Sequence, residues 1–184
     1  MGIKERRMAT EKENALAVLK QGMSTELWGL RFYEQAAKRT QAEDGKKVFQ
    51  SLVAEEQKHL DILRGQYAAI SGRQQWISVA EAMALAASVD PTEIFPHASS
   101  AEQLIPEDAS DMRALEMAMD FERRGYAFYE AEAKKASSPE ARAMWEFLAK
   151  AEDAHYAFLQ ETHEYLKTNG TWYFDEQEFP FFEG

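Results

Sequence analysis

The sequence has no cysteine, which rules out disulfides, thiolate zinc sites, iron–sulfur clusters and a rubredoxin-type iron site within it. Glycine and proline are scarce, at 9 and 5 of 184 residues, and that scarcity favours an all-helical fold. No stretch approaches the ~20 apolar residues needed to span a bilayer, and the N-terminal MGIKERRMATEKEN lacks the apolar core of a signal peptide. Positive charge is also short. The formal net charge is −11 and the basic cluster Lys4–Arg7 is short and terminal, so no nucleic-acid partner is expected. These absences lead to the expectation of a soluble, cytoplasmic protein with no membrane contact. A content of 45% hydrophobic and 29% charged residues argues for a folded chain, with residues 1–184 forming a single domain.

What is present is helical periodicity. A first helix is predicted over about residues 10–39, with the seam Leu16, Leu19, Met23, Glu26, Leu30, Tyr33 and Ala37. Spacings of three and four are those of a helix packed in a bundle. Glu26 is out of place in an apolar stripe, since charged side chains are rarely buried without a partner. It lies either beside the seam or on it for a purpose. After a polar break at 41–45, a second helix is predicted over about 44–70, with the seam Phe49, Leu52, Glu56, His59, Leu63, Gln66 and Ile70. The short break implies an antiparallel hairpin.

Residues 71–110 have no sustained period and carry Pro91, Pro96 and Pro106. Within them, Ser78–Glu81 reads as a capping box opening a short helix to about Ser88. The length suits a crossover running back along a bundle, pinned by Ile94, Phe95, Leu104 and Ile105. A third helix is predicted over about 111–136 (Met112, Leu115, Met119, Glu122, Tyr126, Tyr129, Ala133). A fourth spans about 139–167 (Trp145, Leu148, Glu152, His155, Leu159, Thr162, Leu166), opened by Ser138 as N-cap and Pro139 at the first helical position. The fold class is therefore all-α, a four-helix bundle of two hairpins joined by one long crossover, with an aromatic, acidic tail over 168–184.

The second hairpin repeats the first. Adding 96 to Glu26, Tyr33, Glu56 and His59 gives Glu122, Tyr129, Glu152 and His155, and Gly29 and Phe32 become Gly125 and Phe128. Glu55 maps onto Ala151, which makes it a solvated bystander by this reading. Glu and His three apart share one helix face, so the repeat aims four carboxylates and two imidazoles at the middle of one bundle. Buried together without metal they would repel one another; two divalent cations cancel the four negative charges. Two single-Glu helices facing two Glu-x-x-His helices form the ferritin-like dinuclear arrangement. Oxygen and nitrogen donors without thiolate suit two iron ions or manganese, with zinc as an artificial occupant.

Gly29 and Gly125 serve either close helix packing or room for a small oxidant. Tyr33 and Tyr129, two turns from Glu26 and Glu122, either hydrogen-bond an outer carboxylate oxygen, relay an electron, or are ordinary buried tyrosines. His97 and His163 are expected to be exposed, and the tail from Trp172 to Phe182 is either a flap on the bundle end or a partner contact.

On these residues the chain resembles the rubrerythrin and ferritin-like superfamily, above all the di-iron domain of rubrerythrins. The Glu26…Tyr33 and Glu122…Tyr129 spacings carry that likeness over roughly residues 10–167. The resemblance implies Glu26, Glu56, His59, Glu122, Glu152 and His155 as metal ligands. It also implies a peroxidase or ferroxidase reaction with hydrogen peroxide or dioxygen, and a homodimer or higher homo-oligomer. Two features depart from the rubrerythrin pattern. Gly125 stands where a further Glu is usual, and no rubredoxin domain can form without cysteine, so an external electron donor is implied. The two-histidine set looks nearer to bacterioferritin. The alternative expectation is a non-catalytic iron-binding or iron-storage protein.

Overall fold

The computed structural model describes residues 3–73, 75–86 and 104–175, and those residues are helical without strands. The helices are α1 (Ile3–Arg39), α2 (Glu43–Arg73), α3 (Val79–Ala86), α4 (Asp111–Lys135) and α5 (Pro139–Asn169). α1 packs on α2 and α4 on α5, giving the two expected hairpins; α1 also meets α4, and α3 lies on α2. Both hairpin turns are three residues long, 40–42 and 136–138.

Local chemistry accounts for the helix ends. The Ser110 and Ser138 hydroxyls accept from the Arg113 and Ala141 amides at 3.2 and 3.1 Å, and Pro139 occupies the first turn where no amide proton is needed. Gly170 closes α5 at φ 70°, a left-handed conformation suited to glycine, with its amide donating to the Leu166 carbonyl at 2.8 Å. The capping box at α3 forms as read: the Glu81 amide donates to Ser78 Oγ at 3.3 Å and the Ser78 amide to Glu81 Oε2 at 3.0 Å. α1 starts well before the apolar seam does, and α2 starts at Glu43, so the polar break is shorter than 41–45 and Gly45 is helical.

The crossover is fastened at both described ends. Gln66 donates to the Ile77 carbonyl at 2.5 Å and accepts from the Ile77 amide at 3.2 Å. At the far end Arg39 donates to the carbonyls of Pro106 (2.7 Å), Glu107 and Ala109, while Ile105 is buried. The expected anchors Ile94 and Phe95, His97 and the end of the short helix at Ser88 lie outside the described residues. Trp172 covers the bundle end, packing on Phe49 (ring centroids 5.7 Å apart) and donating to Asp111 Oδ2 at 3.0 Å; the tail beyond Asp175 is outside the described residues.

The core comes in two parts. One gathers Leu19, Met23, Leu63, Tyr129, Met144 and Trp145; the other gathers Phe32, Tyr33, Phe49, Leu52, Leu115 and Leu159. Three sequence expectations need correction. The seams of α1 and α4 pass through buried Gly29 and Gly125, not Leu30 and Tyr126; Leu30 is half-buried and Tyr126 exposed. From Glu26 to Tyr33 the intermediate position can fall at +3 or +4, and here the glycines face inward. Glu55 is not solvated: it is 4% exposed. It falls in a second buried stripe of α2, a heptad from Val48 and Ile62, and its charge is met by Lys58 at 2.6 Å. His163 is only 13% exposed, beside Glu164 at 3.4 Å and Glu116 at 4.0 Å.

Candidate metal centre

Between the two halves of the core lies a layer of six ionisable side chains, all buried: Glu26 from α1, Glu56 and His59 from α2, Glu122 from α4, and Glu152 and His155 from α5. One donor atom from each of Glu56, His59, Glu152 and His155 falls within 4.8 Å of the others. Glu26 and Glu122 close the group through the histidines. His59 Nδ1 lies 3.3 Å from Glu26 Oε2 and 3.4 Å from Glu152 Oε1; His155 Nδ1 lies 3.5 Å from Glu56 Oε1 and 3.6 Å from Glu122 Oε2. The pattern is two-fold. Each histidine faces the single Glu of its own hairpin and the Glu-x-x-His glutamate of the other, and the two imidazoles stack with centroids 5.2 Å apart.

The tyrosines interlock the hairpins. Tyr33 on α1 donates to Glu122 Oε1 on α4, and Tyr129 on α4 donates to Glu26 Oε1 on α1. Each single glutamate thus has one oxygen held by the opposite hairpin and the other turned inward. Tyr33 and Tyr129 belong to opposite halves of the core, so the polar layer is gripped from both ends.

Most of the inward atoms make no hydrogen bond to the protein. Both oxygens of Glu56 and of Glu152, Oε2 of Glu26 and of Glu122, and both ring nitrogens of His59 are buried without a hydrogen bond. Buried polar atoms are rarely left so, because each costs roughly 1–3 kcal/mol. A concentration of carboxylate and imidazole atoms of this kind fits cations, which satisfy several of them together.

Protons partly take the place of cations in the metal-free chain. Burial pushes Glu26 up to about 7 and Glu56 and Glu152 well above the usual carboxylate value. For Glu122 burial acts the same way, but interaction with Glu152, the charge of His155 and the Tyr33 hydroxyl outweigh it, and the group sits below its ordinary value. Burial brings His59 down to about 4. At His155 burial is overcome by Glu122 and Glu56, and the imidazole is raised to about 10. One charged pair, Glu122 with His155, therefore lies among groups that favour neutrality.

All six residues expected from the repeat lie in this layer, and both tyrosines touch it. Sequence reasoning missed Phe121 and read Trp145 only as a seam residue of the fourth helix. Phe121 covers Gly29, with its ring 2.7 Å from where a Cβ would stand; Trp145 stacks on Tyr129 at 5.7 Å. Both differ from their repeat counterparts, Thr25 and Phe49, and that difference was the available signal.

Comparison with known proteins bears on the fold and the family. A hypothetical protein from Pyrococcus furiosus is similar in structure, with TM-score 0.60 and 19% identity over 86% of this chain and 93% of its own; at that identity it bears on the fold alone. No curated protein matches. A family model for rubrerythrin matches residues 17–163, the span that holds both hairpins and all six ionisable residues. The chain belongs to the rubrerythrin family.

Proposed function

We propose that the chain is a di-iron carboxylate oxidoreductase of the rubrerythrin type, oxidising Fe(II) with hydrogen peroxide or dioxygen. The observation that carries this is the convergence of six buried carboxylate and imidazole side chains from four helices, with inward oxygens of all four glutamates and both His59 nitrogens making no hydrogen bond. Glu26, Glu56, His59, Glu122, Glu152 and His155 would together hold the two ions. When bound, two Fe(II) ions supply the two electrons that, with two protons, convert one hydrogen peroxide to two waters. The chain's own residues prepare that chemistry. Tyr33 and Tyr129 fix the outer oxygens of Glu122 and Glu26, which keeps the inner oxygens aimed at the centre. The two halves of the core exclude bulk water from the layer. With no cysteine in the sequence, the electrons for a further turnover come from an external donor. A reducing, cytoplasmic setting suits that composition.

Metal analysis joined to stopped-flow oxidation tests the proposal. Native protein should bind two iron ions, and Glu56→Ala and Glu152→Ala should each bind fewer. Two ions retained in both variants would defeat the assignment. Anaerobically Fe(II)-loaded protein should be oxidised repeatedly to a soluble product; growth of a ferric core in a large particle would replace the enzyme reading with storage.

A further inference from the structure

The two halves of the site are alike inside and different outside. Gly29 and Gly125 correspond across the repeat, and each lies against the glutamate of its own hairpin. A Cβ at Gly29 would stand 2.9 Å from Glu56 Oε2, and one at Gly125 would stand 3.0 Å from Glu152 Oε2. Over Gly29 the outer side is sealed by Phe121, which is 5% exposed and stacks on Trp28 with centroids 4.6 Å apart. Over Gly125 no ring takes that place, because the repeat counterpart of Phe121 is Thr25. A surface depression of about 400 Å³ occupies the gap between α1 and α4 instead, lined by Ser24, Thr25, Trp28, Phe121, Phe128 and Gly125 among others.

We propose that this depression is the way in for the small oxidant, and that Thr25 and Gly125 set its size limit. The inference rests on the di-iron reading and deepens it. Gly125 is part of the wall, and the Glu152 carboxylate lies directly behind it. The rings of Trp28, Phe121 and Phe128 suit a small molecule, while Arg124, the Ser24 hydroxyl and the Thr25 oxygen, whose own proton goes to the Gln21 carbonyl at 3.2 Å, suit a polar one. Hydrogen peroxide meets both conditions. The matching passage at Gly29 is closed, so access is one-sided.

Thr25→Phe restores the ring that the other half carries, and Thr25→Leu is a smaller plug should the first variant misfold. In protein loaded with two Fe(II), each should slow oxidation by hydrogen peroxide by at least about tenfold while metal stoichiometry stays at two. Two readouts do not depend on turnover. Azide binding to Co(II)-loaded protein, followed in the visible spectrum, should slow in parallel, and xenon-pressurised crystals should hold xenon over Gly125 in the parent but not in Thr25→Phe. Unchanged oxidation and azide rates in correctly loaded variants would overturn the route and leave the di-iron reading standing. Failure of the parent to load two ions would overturn the di-iron reading itself, and the route with it.

Discussion

Adjacent residues Glu55 and Glu56 are both buried and are accommodated in opposite ways. Glu55 has the Lys58 ammonium at 2.6 Å, on a side chain 45% exposed, so its charge is balanced from within the protein. Glu56 makes no hydrogen bond on either oxygen, and the positive group beside it, the His155 imidazole 3.5 Å from Oε1, is shared with Glu122. A buried acid with its own cation needs nothing more; one without needs a proton or a bound ion. The tyrosines belong to the same accounting. Tyr33→Phe removes the donor to Glu122 Oε1 without changing shape, so the metal-free protein should lose about 1–3 kcal/mol. Tyr129→Phe should do the same at Glu26. Urea unfolding in the presence of chelator measures both, and a loss near zero would mean that the hydroxyls do not satisfy these carboxylates.

Among the helices, α3 shows how the repeat was altered to seat an extra element. At Gly65 a Cβ would stand 1.9 Å from the Ala82 carbonyl oxygen, so α3 lies directly on the α2 backbone; the repeat counterpart of Gly65 is the exposed Glu161. Gly65→Ala cannot be absorbed by rotating a side chain, because the obstacle is backbone. It should displace α3 and destabilise the protein by roughly 1–3 kcal/mol, seen as a lower melting temperature and faster proteolysis near Ile77. The helices and the six ionisable residues were legible because the hairpin is written twice, and a pattern that recurs 96 residues later outweighs the ambiguity of either copy. The rest was illegible for definite reasons. Three-and-four spacing does not choose between Gly29 and Leu30, and hydrophobicity points to the wrong one. The burial of Glu55 comes from a second packed face of α2, which the first seam does not reveal. Phe121 reads as ordinary core until it is set against Thr25.

For the whole molecule, cations held by this layer would compete with protons for the same groups. Without metal, Glu26, raised to about 7, and Glu56 and Glu152, raised by burial, contribute stability that is present at acid pH and lost as pH rises through their raised values. His155, raised to about 10, loses its contribution in the same direction. The depressed value of His59, about 4, acts in the opposite sense and has ceased to matter above its ordinary 6.5. The melting temperature of chelator-treated protein should therefore fall from pH 6.5 to 10, and that of metal-loaded protein should hold, since the ions replace the protons. Calorimetry across that range gives the answer; a metal-free protein that grows more stable with pH would contradict the burial of these carboxylates.

The two three-residue turns have a consequence for how this chain can change in length. From single Glu to Glu-x-x-His glutamate the count is 30 in both hairpins, 26 to 56 and 122 to 152, and each residue added to or removed from a helix rotates the remainder of that helix by about 100°. Insertions or deletions there would turn a glutamate out of the layer. Residues 71–110 contribute none of the six, so the number of residues between the hairpins does not set the geometry of the centre. Residues can be added without turning a glutamate out of the layer only outside the helices, at the two turns, in that connection or at the ends.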